Sequence, residues 1–204
     1  MKTKTYLFID GSNLYAGQYD LFGPKRYLDF SRFINEIEKR LKVKFQRLYF
    51  YASYSPRPKR LTQKIKQYLK NEALFYRSVK SLKNLTFFKG YRSKTSGKEK
   101  EVDVKLAVDI VDMTYRGGFS ELFLVSGDAD FMHALLVAKR LHKKISIISL
   151  ENRIPFRFSY LFLTYVFCFN QFKIKFDKKQ KIKLIKLPQN LIKKIPRMHA
   201  SWAS

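Results

Sequence analysis

The chain has 204 residues, 46% of them hydrophobic, enough for one sizeable core of about 150 residues plus an appendage. Its 42 Lys and Arg against 16 Asp and Glu give a formal net charge of +26, which points to a polyanionic partner, nucleic acid before an anionic membrane surface. A general lysine bias is the plainer source of such charge. The single cysteine, Cys168, excludes an internal disulfide framework and a cysteine-based zinc cluster, and fits a reducing, cytoplasmic setting.

In chain order, the amino terminus MKTKTYLFIDGSN carries four apolar residues before an acid, too few for a signal peptide. That run, Tyr6 to Ile9, is the first predicted strand, and Gly23-Pro24 punctuate the chain before the first predicted helix. Helical spacing of Phe30, Phe33, Ile34, Ile37 and Leu41 gives that helix. Leu48 to Ala52 is the second strand, and Leu61, Ile65, Tyr68 and Leu69 mark a second helix after Pro56 and Pro58. A third strand is expected near Leu85 to Tyr91, then a helix whose apolar face is Val104, Ala107, Val108, Val111 and Tyr115. Leu122 to Val125, a helix with Phe131, Leu135 and Ala138, and Ile145 to Leu150 complete the series. Apolar runs without polar alternation suit strands buried on both faces, so the pattern predicts a doubly wound α/β domain with a parallel sheet over residues 1–151.

Residues 152–204 differ in character. The apolar segment Phe158 to Phe169 has about 12 residues against the roughly 20 of a membrane-spanning helix, and is expected to be buried core, with no membrane association. Lys173 to Lys194 mixes Lys with Ile, Leu and Phe, a basic extension that suits either a nucleic-acid-binding arm or an edge strand guarded by lysines.

The acids carry the chemistry. Asp10 ends the first strand, Asp128 follows the fourth by two residues, Asp130 opens the next helix, and Asp103 opens the helix before that strand. In an open parallel sheet all four positions lie at the carboxyl edge, where ligands bind. Two carboxylates 4 Å apart repel by about 4 kcal/mol at an effective dielectric of about 20, so their convergence calls for a cation. Oxygen ligands without His or Cys favour Mg²⁺ or Mn²⁺. Each aspartate alone is also a good helix cap or turn residue. Asp109 lies about 120° around the helix from Asp103 and about 9 Å along it, and ranks below the other four. His133, about one turn past Asp130, is the one histidine placed to approach the acids, and reads better as an ordinary helix residue.

FIDGSNLY, VDVKLAVDIV and LFLVSGDADF in this order resemble the signature blocks of the NYN domain, LabA-like branch, of the PIN-like nuclease superfamily, over roughly residues 5 to 150. The resemblance implies a PIN-like three-layer α/β/α sandwich with a Rossmann-like, mainly parallel five-stranded sheet. It also implies metal-dependent ribonuclease activity, with Asp10, Asp103, Asp128 and Asp130 as the metal centre, Asn13 supporting it and Asp109 as a second acid of the helix block. Similar proteins carry an acid-containing helix after the fifth strand, where this chain has the acid-free SYLFLTYVFCFNQF.

Two basic-aromatic stretches leave the same edge, one with Tyr54, Arg57, Lys59 and Arg60, the other with Tyr91, Arg92 and Lys94. Rings that stack on unpaired bases beside cations that hold the backbone suit single-stranded RNA, with DNA not distinguished from it. Ser12 and Ser126 are placed to donate to a phosphate oxygen, or are simply small turn residues. A phosphatase of the haloacid-dehalogenase type wants an acid two residues after Asp10, where this chain has Ser12. A non-catalytic RNA-binding module on the same fold is the stronger rival. A homodimer is compatible with the sequence.

Overall fold

The computed structural model describes residues 4–22, 24, 26–92, 99–150, 183–185 and 192–194. Strand β1 (Thr5–Asp10) leads directly into α1 (Gly11–Phe22), followed by β2 (Arg26–Leu28), α2 (Phe30–Leu41), β3 (Arg47–Ala52), α3 (Gln63–Lys80) and β4 (Leu85–Lys89). Then come β5 (Tyr91–Arg92), β6 (Glu99–Lys100), α4 (Val102–Tyr115), β7 (Glu121–Val125), a single turn of 3-10 helix (Ala129–Phe131), α5 (Met132–Arg140) and β8 (Lys144–Leu150). Two short strands, β9 (Lys183–Ile185) and β10 (Ile192–Lys194), follow.

The five expected strands form a parallel sheet in the order β4-β3-β1-β7-β8, and β9 extends the β8 edge. β10 pairs antiparallel with β2. Strand order reverses between β1 and β7, so their carboxyl ends frame the crevice where an open α/β sheet binds ligands. Alternation along β1 sorts its side chains between two cores. Leu7 and Ile9 join the helices α1 to α3 in an aromatic cluster, while Phe8 joins α4 and α5 in a more aliphatic one. Asp10, two residues after Phe8, therefore shares the α4 side.

Local chemistry explains the helix starts. The Asp29 carboxylate accepts the Arg32 N–H at the head of α2, and the Thr62 hydroxyl accepts the Ile65 N–H at the head of α3. Gly11 opens α1 because nothing larger fits: a Cβ there would lie 2.1 Å from a ring carbon of fully buried Phe50.

Four expectations change. The segment after Asp10 is a helix rather than a loop, because Leu14, Tyr15 and even Gln18 are buried against the sheet and α3. Gln18 is accommodated by donating to Asn71 (3.2 Å) and accepting the Leu28 N–H (3.0 Å). Leu61 precedes α3 and is exposed. The third strand ends at Lys89, and Tyr91 turns into a separate antiparallel pair, Tyr91 opposite Lys100 and Arg92 opposite Glu99. On α4 the buried stripe is Val102, Leu106, Ile110 and Thr114, whereas Val104, Val108 and Tyr115 are 67%, 54% and 70% exposed. That helix is apolar on more than one face, so spacing alone does not select the packed one. Among the described residues, no helix is long and apolar enough to cross a membrane. The segment Phe158 to Phe169 lies outside the described residues.

Candidate active site at the carboxyl edge

The end of β1 and the start of α1 meet the loop after β7. Asp10 is 3% exposed. Its Oδ1 accepts the Asn13 N–H at 3.0 Å, and its Oδ2 accepts the Ser126 hydroxyl at 2.9 Å. Ser126 Oγ in turn accepts the Asp128 N–H (3.0 Å), and the Asn13 Oδ1 accepts the Gly127 N–H (3.0 Å). Asp128 Oδ1 takes the Asp130 N–H at 3.0 Å, fixing the 3-10 turn that leads into α5. Short polar residues thus stitch two segments more than 100 residues apart, and Ser126 sits at the centre as both donor and acceptor.

Burial pushes the Asp10 carboxyl up to about 7, and the nearby negative charges of Asp103 and Asp128 push in the same direction, against the donors Asn13 N–H and Ser126. Holding that group ionised costs the fold on the order of a few kcal/mol, which a nearby cation would offset. Asp103 lies in the first turn of α4 and is exposed, as is Asp130, while Asp128 is half-buried.

Asp109 is placed differently. Its Oδ2 accepts the Tyr51 hydroxyl at 2.8 Å and its Oδ1 pairs with Lys105 Nζ at 2.5 Å. Tyr51 is the register neighbour of Asp10 on β3. Burial, then the Asp109 carboxylate, pushes the Tyr51 phenol far above its ordinary range, so it remains a donor. Tyr51 and Lys105 were not singled out from sequence; the Lys105–Asp109 spacing of four residues was the available signal.

The donors at this edge are all oxygen, the set that suits Mg²⁺ or Mn²⁺, and Asp103 and Asp128 are both near enough for Asp10 to feel their charge. Among the described residues, no group of three or more His, Cys, Asp or Glu comes together closely enough to hold a metal ion.

Among the residues considered for substrate, Ser12 is half-buried in the first turn of α1, and Ser126 is engaged as above. Arg57, Lys59 and Arg60 are exposed on the connection from β3 to α3. Tyr54 folds back instead, edge-on to Tyr76 (5.1 Å between centroids), with its hydroxyl accepting from Lys80 at 3.0 Å. Tyr91 is 56% exposed, beside Arg92 in β5, and Lys94 lies outside the described residues.

Residues 4–159 match the family model of the NYN domain. The chain belongs to the NYN domain family. This NYN domain thereby falls in a nuclease-like superfamily, whose substrate class is nucleic acid. Its fold is similar to that of a protein of unknown function from Vibrio parahaemolyticus, with a TM-score of 0.55 and 20% identity over 82% of this chain and 89% of that one. A nicotinamidase from Staphylococcus aureus aligns at a TM-score of 0.37 and 12% identity, covering 91% of this chain and 99% of that one, too distant to carry any argument. No curated protein matches.

Proposed function

We propose that this NYN domain is a metal-dependent ribonuclease that hydrolyses phosphodiester bonds in single-stranded or looped RNA, cutting within the strand, with DNA as the alternative polymer. The observation that carries this reading is Asp10: a carboxylate buried at the switch point of the sheet, raised to about 7, facing two further acids, and held by Asn13 and Ser126. Carboxyls raised by burial beside like charges cluster at functional sites.

Asp10, Asp103 and Asp128 would hold Mg²⁺ or Mn²⁺, with Asp130 as a further acid beside them. When bound, the ion activates water and neutralises charge on the phosphate. The protein's own residues supply the rest. Ser126 and the Asn13 backbone N–H fix the orientation of the Asp10 carboxylate, and the Asn13 side chain holds the loop that presents Asp128. Asp109, satisfied by Tyr51 and Lys105, would anchor the middle of α4 to β3, and so hold the helix that carries Asp103 rather than join the ligand set.

A non-catalytic RNA-binding module is the second reading, favoured by the absence of a closed three-acid group among the described residues. Incubation of labelled RNA with the purified chain, in Mn²⁺, in Mg²⁺ and in chelator, separates the two. Cleavage that needs the ion and falls at least 100-fold in Asp128→Asn is expected. Cleavage that survives both chelation and the substitution, or binding without any cleavage, defeats the nuclease reading.

A further inference from the structure

The positive charge is not spread evenly over the described surface. Residues 53–98 hold thirteen Lys and Arg and one acid, Glu72, which is buried and takes the Ser55 N–H and hydroxyl. In α2, by contrast, acids and bases interleave as Arg32, Glu36, Glu38 and Lys39.

On α3 this charge is ordered. Lys66, Lys70, Arg77 and Lys80 recur at helical spacing, with Ala73 completing the row. The row lies opposite the packed face of Asn71, Glu72, Phe75, Tyr76 and Val79. Lys66, Arg77 and Lys80 are exposed and Lys70 is half-buried. From Lys66 to Lys80 the row runs about 21 Å, the length of about six stacked nucleotides. Because α3 returns from the carboxyl ends of the strands, the row begins at the site edge, and Arg57, Lys59 and Arg60 bridge the gap from β3, the strand beside Asp10.

We infer that the outer face of α3 is a phosphate track that holds the single-stranded RNA flanking the scissile bond and leads it to the carboxyl edge. This inference rests on the ribonuclease reading for its direction, though the track itself is a binding surface. Its rows of cations contact backbone rather than bases, so it holds strands without regard to sequence. A membrane surface is the poorer occupant: the row carries Ala73 where an interfacial helix places large apolar side chains.

The test uses the full chain carrying Lys66→Gln, Lys70→Gln and Arg77→Gln together, which keeps helix-forming residues. A control with Arg140→Gln, Lys143→Gln and Lys144→Gln makes the same change in net charge on and beside α5. Binding of a labelled uridine homopolymer of about 20 nucleotides is measured in chelator across a salt series, so that it does not depend on cleavage, and circular dichroism verifies the fold. The track variant is expected to bind at least tenfold more weakly at low salt, with the salt slope reduced by about 2, while the control stays close to wild type. In Mn²⁺, KM for the long RNA rises while cleavage of a tetranucleotide is unchanged. Equal losses in both variants, an unchanged slope in the track variant, or a loss of binding to phosphatidylserine vesicles in place of RNA each overturn the track. Intact RNA throughout, with binding behaving as stated, counts against the ribonuclease reading and leaves the track standing.

Discussion

The two helix layers divide the work of this domain. Beneath α1, α2 and α3 the core is ring upon ring: Tyr15, Phe30, Phe33, Phe50, Phe75 and Tyr76 are all buried, with Phe30 and Phe50 edge-on at 5.5 Å between centroids. Beneath α4 and α5 it is mostly aliphatic, with Leu106, Ile110, Leu124, Leu135 and Ile147. The outer surfaces contrast in charge: α3 presents only cations, whereas α4 carries Asp103, Asp109 and Asp112. β1 is the seam, and Asp10 stands at its end on the acidic side. A basic α3 on one side of the sheet and an acid-bearing α4 on the other divide the two charges, because a single face cannot attract phosphate and concentrate carboxylates at once.

The contrast can be broken or sharpened experimentally. Phe75→Ala should give the largest loss, about 3–5 kcal/mol in urea unfolding, because its ring packs against Tyr15, Phe30, Phe50 and Tyr76. A smaller loss than for Leu106→Ala would mean that the aromatic layer is not the stiffer one. Next is the pH dependence in chelator. The folded carboxyl of Asp10 is raised to about 7 from its ordinary value of 3.8, so the folded state binds the proton more tightly. Its contribution is then fully present below about 4 and is lost as pH rises towards 7. Asp10→Asn should therefore flatten the stability profile in that window by a few kcal/mol, and Mn²⁺ should restore wild-type stability above pH 7. Identical profiles for variant and wild type would remove Asp10 as the strained group. Gly11→Ala should cost about 1–3 kcal/mol by driving Phe50 out of its place. Smallest of all, Val104→Thr and Val108→Thr should change stability by less than about 0.5 kcal/mol, since both side chains lie outside the α4 core. A loss of 1 kcal/mol or more in melting experiments would show that this stripe is covered.

Much of this was legible in the sequence because buried parallel strands leave unbroken apolar runs. Tyr6 to Ile9 and Leu122 to Val125 fall inside β1 and β7, and the positions of Asp10 and Asp128 at the sheet's carboxyl edge followed from them. The helix α1 was not legible. Its buried side includes Gln18, which is satisfied by Asn71 and Leu28 from other elements, so periodicity of apolar residues gave little signal. The packed face of α4 was ambiguous because neighbouring stripes are equally apolar, and only the position of the sheet decides between them. Asp109 looked like a spare acid until Tyr51, from a strand 58 residues earlier, was seen to donate to it. The lysines of the chain's last part read equally well as an arm or an edge, and Lys183 to Ile185 do pair along β8. In each case the missing information is a partner distant in the chain.

The hydroxyl of Ser126 reaches back across 116 residues to Asp10. Synthesis from the amino terminus therefore delivers the first carboxylate long before the group that steadies it. A nascent chain that stops short of β7 has β1 but neither Ser126 nor Asp128, so the acidic edge is incomplete until β7 has been made. The strand that brings the last acids, β7, is also the one that pairs with β1 beside the first.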